Sequence, residues 1–286
     1  MKNGVTRGGA SSTARKTSSV VAVLFRKELR DQLLVSAIVT VLLVATIGLI
    51  VFTYPILKNV PEFQNIARTA PELKDFGDIA GQISRMLGDY SYYLWSQWFP
   101  KNLVQIAAIF AIILGVMAFA NEYAARSFEY LLTRPVRRRD VFVAKAGARL
   151  LIIAAVVYGT SALYVTVGYL ADSDALERVN VGGFVAAATG VFLLCALAFA
   201  IAVALVVRMR KALSALLASI GTILVTSTAL SLLESKLPRA LRLNEQLLGQ
   251  RVLEEATLAW EPVLVVGTAT AVLLWSGWSV FRGQDV

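Results

Sequence analysis

The 286-residue sequence contains no histidine, one cysteine and few charged residues. Without an imidazole it cannot build a Ser-His-Asp triad, a Cys-His pair or a zinc site with histidine ligands. The single cysteine, Cys195, forms no disulfide within the chain, and its apolar neighbours predict a residue of the core. We therefore expect no catalytic residue, no metal site and no cofactor bound by this chain.

Charged side chains make up 16% of the residues, whereas a soluble domain usually carries about 25%. Hydrophobic residues make up 57%, and the mean hydropathy is +0.66. Six stretches without Asp, Glu, Lys or Arg are long enough to cross a bilayer core about 30 Å thick as helices. The sequence thus predicts an all-α polytopic membrane protein with spans near 33–54, 102–120, 150–170, 183–207, 212–233 and 262–281.

The basic residues are distributed unevenly between the loops on the two sides of these spans. Eighteen of the 28 Lys and Arg residues lie in the N-terminal tail, in alternate loops and at the C-terminus, and ten lie in the remaining loops. By the positive-inside rule both termini are cytoplasmic, and the protein is expected in the cell (inner or cytoplasmic) membrane. The basic residues that produce the formal charge of +9 lie in loops beside the spans, so we expect a lipid partner and no nucleic acid.

The N-terminal region divides into a tail and an amphipathic segment. Residues 1–17 are basic and rich in Gly, Ser and Thr, which predicts a disordered cytoplasmic tail before a single transmembrane domain, 18–286. Residues 18–32 carry apolar side chains on one side and Arg26, Lys27 and Arg30 on another. This pattern predicts an N-terminal helix in the cytoplasmic interface.

The outer segment between the first two spans is also expected to be helical. Ile79, Ile83, Met86 and Leu87 recur at helical spacing, which predicts short helices on the outer surface. The segment ends in DYSYYLWSQWFP, whose aromatic rings we expect in the headgroup layer; a substrate gate is the alternative.

Two rows of small side chains lie within the predicted spans. Ala196, Ala200 and Ala204 recur every four residues, which permits close helix contact either within the chain or across a dimer. In the fifth span, a second row either bonds the preceding turn of its own helix or lines a translocation path. This row consists of Ser219, Thr222 and Thr226.

The source of energy for any transport must lie outside the spans. None of the six predicted spans holds an ionisable residue, which argues against a proton-coupled carrier. The sequence has no phosphate-binding loop either, because Ala10 stands where the required lysine would follow Gly4 and Gly9. ATP could therefore drive this protein only through a separate subunit that docks on the cytoplasmic side.

The loop between the second and third spans is the best docking surface. Glu122, Arg126, Glu129 and Tyr130 are three or four residues apart, which predicts a short helix continuing from the second span until Pro135 breaks it. The alternative is a basic loop held by anionic lipid.

This loop resembles that of the membrane subunits of type-2 ATP-binding-cassette transporters, which have Glu-x-x-x-Gly-Thr-x-Glu-x-Leu-Leu, then Pro, then basic residues and Lys. Arg126 and Ser127 stand where the family usually has Gly and Thr. FRKELRDQ before the first span also looks like the family's entry segment, with Phe25, Lys27, Glu28 and Leu29 in register. The loop residues that match the family are Glu122, Glu129, Leu131, Leu132, Pro135, Arg138 and Lys145.

The resemblance implies a permease that exports its substrate, paired with a second copy or a paralogue and with two ATPase subunits that hold ATP and Mg²⁺. The stretch from Glu122 to Arg139, here called the docking segment, would be the coupling helix that inserts into a groove of the ATPase. Leu131 and Leu132 would supply its buried contacts. Its charged residues, which include Arg126, Glu129, Arg137, Arg138 and Arg139, would fix its register.

Two other classes of function compete with this one. An ATP-independent secondary transporter would work without any ATPase, for example by coupling to Na⁺ through backbone carbonyls and hydroxyls. A membrane enzyme acting on lipids would have to use outer acids such as Glu254 and Glu255 or Asp75 and Asp78. We expect those acids to form solvated helix faces, because nothing positions a partner group beside them.

Overall fold

Six long helices confirm the predicted spans. The computed structural model describes residues 21–61, 65, 77–125, 137–171 and 181–283, and all regular structure within these ranges is helical. The predicted tail, 1–17, lies outside them. We call the spans first to sixth in chain order: Leu33–Asn59, Tyr90–Asn121, Arg138–Ala171, Val181–Met209, Ala212–Leu233 and Trp260–Arg282.

The spans alternate in direction, so their ends form two faces. The basic end carries the starts of the first, third and fifth spans and the ends of the others. The aromatic end carries the opposite termini and the outer helix, Gly77–Gly88. Short helices between the fifth and sixth spans also lie at the aromatic end: Glu234–Lys236, Arg239–Leu241, Leu243–Leu248 and Gln250–Glu255.

The fourth span is the centre of the bundle and packs against the second, third, fifth and sixth. Glycine allows its closest contacts. A Cβ on Gly115 of the second span would lie 2.7 Å from the Ala202 Cβ and 2.9 Å from the Phe199 carbonyl oxygen. At the aromatic end, a Cβ on Gly183 would overlap the Leu253 carbonyl. The backbone of the fourth span is therefore in direct contact with a neighbouring span and with the short helices.

The alanine row of the fourth span packs within the chain. Ala196, Ala200 and Ala204 are all buried. Gly277 of the sixth span lies opposite, and a Cβ there would contact the Ala204 Cα at 3.6 Å. Contact within the chain is thus the correct interpretation of this row, because small side chains on both helices let their backbones approach.

Most of the aromatic rings before residue 100 pack inside the chain instead of forming a lipid-facing layer, so the expectation was wrong for them. Trp98 and Phe99 are completely buried. The Trp98 ring stacks on Tyr164 of the third span at 4.7 Å between centroids, and Phe99 packs against Phe184. These rings lie inside because the helix continues from Tyr90 into the second span and turns them towards the third and fourth spans.

The second span contains a wider π-helical segment, Trp98–Leu103. Pro100 in this segment has no N–H to donate to the preceding turn. The Asn102 side chain partly compensates, because its Nδ2 donates to the Gln97 carbonyl at 2.6 Å. The segment lets the helix pass through the proline instead of starting after it.

The fifth span is the least enclosed part of the bundle. At the basic end, two residues connect the fourth span to the fifth: Arg210 and Lys211. Arg210 adopts a positive φ of 53°, a left-handed conformation that allows so short a corner. Most side chains of the fifth span, such as Leu217, Leu224 and Val225, are exposed on the surface of the chain.

Candidate functional site

The basic end holds the candidate site, beginning with the N-terminal helix over residues 21–31. This helix lies against the first turns of the third span. The Phe25 ring packs beside Gly147, where a Cβ would be 3.7 Å from Phe25 Cε2. The predicted amphipathic helix is present, but it packs on protein as well as exposing a polar side.

Three charged side chains join the N-terminal helix to the third span. The Lys145 Nζ donates to the Glu28 Oε1 at 2.7 Å, and the Arg149 Nη2 lies 3.1 Å from the Glu28 Oε2. The side chains are only 12% exposed for Glu28, 9% for Lys145 and 3% for Arg149. We call these three residues the charge cluster. Removing Glu28 would leave two cations buried around a missing carboxylate.

The charge cluster also reaches the second span. The Arg149 Nη2 donates to the Met117 carbonyl at 3.2 Å. A guanidinium presents several N–H groups in one plane, so it can bond a carboxylate and a carbonyl together. The cluster consequently links the N-terminal helix, the third span and the second span close to the point where the second span ends.

Further arginine contacts join the sixth span to its neighbours at the basic end. The Arg138 Nη1 donates to the Arg282 carbonyl at 3.1 Å, across from the last turn of the sixth span. Arg208 at the end of the fourth span donates to the Ser276 hydroxyl and to the Ala204 carbonyl. Cations near a helix C-terminus also interact favourably with its exposed carbonyls.

The docking segment is described only at its two ends. Glu122 lies in the last turn of the helix Val104–Ala125, which continues the second span as predicted. Arg138 and Arg139 belong to the first turn of the third span, and Arg137 precedes it with its carbonyl accepting from Asp140 N at 2.9 Å. The remaining predicted docking residues, Arg126, Glu129, Leu131, Leu132 and Pro135, lie outside the described residues.

The predicted path residues of the fifth span do not share one environment. Ser219 is buried, and its Oγ donates to the Ala215 carbonyl at 2.6 Å. Thr222 and Thr226 are exposed on the surface of the chain. The Thr222 hydroxyl donates to Ala218 at 2.7 Å. Two of the three hydroxyls therefore bond their own helix, while the threonines lie where a second chain or lipid would meet this span.

Sequence reasoning missed Arg149 and the role of Lys145 beside it. Both lie in the loop that precedes the predicted third span at residue 150, where the sequence by itself indicates only a basic connection. The signal that could have found them is their spacing of four residues in a helix-forming stretch, which puts two cations on one face. Glu28 was noted only as a motif residue, and its distance in sequence from Lys145 hides the pairing.

The outer acids are paired on the surface. The Gln250 Nε2 donates to the Glu254 Oε1 at 2.6 Å, and Arg251 binds Glu255 at 3.0 Å. Both contacts join residues four apart on an exposed helix. They give no support to a lipid-modifying site, and the side chains of Asp75 and Asp78 are outside the described part.

Comparison with protein families gives one match that spans nearly the whole chain. A family model described as "ABC-2 family transporter protein" matches residues 22–286. The match includes both spans that flank the docking segment and all three residues of the charge cluster. No curated protein matches the chain.

Proposed function

Since the chain belongs to the ABC-2 family of transporter proteins, we propose that it is the permease subunit of an exporter driven by ATP hydrolysis on a separate subunit. It pairs with a second copy or a paralogue and with two ATPase subunits, which bind the ATP and Mg²⁺. The basic end faces the cytoplasm together with both termini. This chain binds neither nucleotide nor Mg²⁺ and performs no covalent chemistry.

The charge cluster is the observation that carries this proposal. It fastens the N-terminal helix to the third span and to the second span at the basic end. The docking segment joins those same two spans. A push on the segment is therefore delivered to helices that are locked together, and it tilts them instead of being absorbed by a flexible joint.

The substrate path is proposed to run beside the fifth span. Thr222 and Thr226 offer hydroxyls on its exposed surface. Opposite a second copy, these hydroxyls would line a space between the two permease chains. Closure of the ATPase dimer would then change which side of the membrane this space opens to.

The docking assignment is tested by replacing Leu131 and Leu132 together with Asp. Two carboxylates in an apolar contact would abolish co-purification of the ATPase while the variant still inserts into the membrane. The ATPase is the one that co-purifies with the unaltered chain from its native membrane. Association and membrane yield are both measured.

The matched control is the double change Ala256→Asp and Thr257→Asp, which adds the same charges at the aromatic end. It should leave the association intact. Retained association in the Leu131 and Leu132 variant would reject the docking assignment. Transport by the purified chain in liposomes without any ATPase would reject ATP coupling and favour the secondary transporter.

A further inference from the structure

A cavity of about 300 Å³ lies at the aromatic end, away from the proposed docking and path surfaces. Its walls come from the first span, from the outer helix and from the start of the second span. Leu49, Ile50 and Leu57 line it from the first span, and Ile83 and Met86 from the outer helix. The volume is at the lower end of the range for small-molecule sites, and the walls are mainly apolar.

The position of the cavity along the first span corresponds to the depth of lipid chains. Its lining extends from Leu49 to Leu57, two residues before the span ends at Asn59. Eight residues of helix rise about 12 Å, so the cavity occupies most of one leaflet's hydrocarbon layer. Leu49 at its inner limit is 70% exposed on the surface of the chain. The cavity is therefore accessible from the hydrocarbon layer.

The outer helix covers the cavity with its apolar side. Ile83, Met86 and Leu87 line the cavity, while Gln82 and Arg85 are exposed. This amphipathic arrangement is typical of a helix at the boundary between hydrocarbon and headgroups. The covering side chains remain half-buried because the cavity separates them from the first span.

The donors around the cavity are bonded to the protein itself. The Tyr54 Oη donates to the Leu87 carbonyl at 3.3 Å and the Tyr93 Oη to the Ile50 carbonyl at 3.1 Å. The Thr53 hydroxyl donates to the Leu49 carbonyl. The amide nitrogens of Gln97 and Asn102 are likewise bonded, to the Met86 Sδ and the Gln97 carbonyl, so an occupant gains little from offering hydrogen-bond acceptors.

We propose that this cavity binds one alkyl chain of a phospholipid from the surrounding bilayer. The chain enters past Leu49 and packs under Ile83 and Met86, joining the outer helix to the first span by apolar contact. The headgroup stays at the membrane surface beside the polar side of the outer helix. The bound lipid thereby becomes part of the packing at the aromatic end.

The test uses the full chain in vesicles of phosphatidylglycerol and phosphatidylcholine that contain a phosphatidylcholine with a diazirine on one alkyl chain. After illumination, mass spectrometry maps the lipid adducts. Adducts should concentrate on Ile83 and Met86, which line the cavity. Thr53→Phe should reduce them by roughly tenfold, because a ring in the cavity excludes the chain.

Thr46→Phe is the matched control. Thr46 is a half-buried threonine of the same helix whose hydroxyl also bonds the carbonyl four residues earlier, but it does not line the cavity. It should leave the adducts on Ile83 and Met86 unchanged. Adducts spread evenly over the first span, or equal loss in both variants, would overturn the proposal.

A second pair keeps the test decisive if Thr53→Phe does not fold. Ile83→Trp fills the cavity from the outer helix, and Gln82→Trp adds the same ring at an exposed position of that helix that does not line the cavity. The first should lower the adducts on Met86 and the second should not. Labelling of the cavity by a diazirine-bearing detergent but not by the phospholipid would also overturn the proposal, because the occupant would then be a free amphiphile.

Discussion

The fourth and fifth spans are neighbours in the chain with opposite surroundings. Both are strongly apolar, with mean hydropathies of 3.0 and 1.9 over an 18-residue stretch of each helix. Yet 67% of that stretch is buried inside the chain in the fourth span, and only 6% in the fifth. Hydropathy alone does not separate them, because lipid and a protein core are equally apolar surroundings.

The difference lies in which small residues meet an opposing helix. In the fourth span, Ala204 of the alanine row lies opposite Gly277 of the sixth span. Gly115 of the second span contacts the fourth span at Ala202. In the fifth span Gly221 has nothing within 4 Å of its Cβ position. The fourth span is thus fixed by its own chain, whereas the fifth keeps a surface for lipid or another chain. Matched substitutions in enclosed and open places test this contrast.

The largest effect is expected for Glu28→Gln in the enclosed charge cluster. It should lower the free energy of unfolding by about 3 kcal/mol, because Lys145 and Arg149 would remain buried without their carboxylate. The measurement is unfolding of the purified protein in mixed micelles. Glu255→Gln, which removes the exposed pair with Arg251, should cost less than about 1 kcal/mol. Equal losses would show that the cluster is not enclosed.

The next largest effect on stability is expected for Gly115→Val. A branched side chain would collide with Ala202 and the Phe199 carbonyl, and overpacking of this kind costs about 2 to 3 kcal/mol. Gly221→Val places the same side chain in the fifth span, where there is open space. The two melting temperatures, measured in the same detergent, should differ by several degrees. An unchanged melting temperature in Gly115→Val would contradict the close packing of the second and fourth spans.

A smaller change is expected at the end of the short helix Gln250–Glu255. Ala256 has a φ of 53°, a conformation that glycine adopts without steric cost. Ala256→Gly should raise the free energy of unfolding by about 0.5 kcal/mol, the relief of strain exceeding the added freedom of the unfolded chain. At Ala271, an exposed residue in the interior of the sixth span, the same change should destabilise instead, because glycine is the poorer helix former. Chemical unfolding of both variants decides the sign.

The smallest effect on stability is expected for Thr226→Leu. Because this side chain is exposed on the fifth span, the free energy of unfolding should change by less than about 0.5 kcal/mol. Transport by the assembled complex should nevertheless fall, since the path would lose a hydroxyl. Val225→Leu on the same helix is the apolar control. A large loss of stability in Thr226→Leu would mean that the fifth span is enclosed after all.

The spans themselves could be predicted because length and hydropathy determine them, and the fifth span runs from residue 212 to 233 in both prediction and structure. Three span boundaries could not be predicted in this way. The first span continues through Pro55 to Asn59. The second begins at Tyr90, since polar and aromatic residues lower the apparent hydropathy of a helix that is buried. The third begins at Arg138 because Glu28, distant in sequence, neutralises part of its charge.

The site was predicted unevenly for a similar reason. Local spacing indicated a helix running past Glu122 and an amphipathic segment before the first span, and both are present in the described parts. The charge cluster depends on a contact between residues 28 and 145, and no local pattern encodes such a partner. The docking role of Leu131 and Leu132 stays a prediction.

The corner at Arg210 and Lys211 limits how the fifth span can move. Even fully extended, two residues would cover only about 7 Å, so the start of this span stays close to the end of the fourth, which the rest of the bundle holds. Such a helix can tilt about its fixed end, but it cannot translate along the membrane normal. Its travel is therefore greatest at the aromatic end, around Leu232, and smallest beside the basic corner.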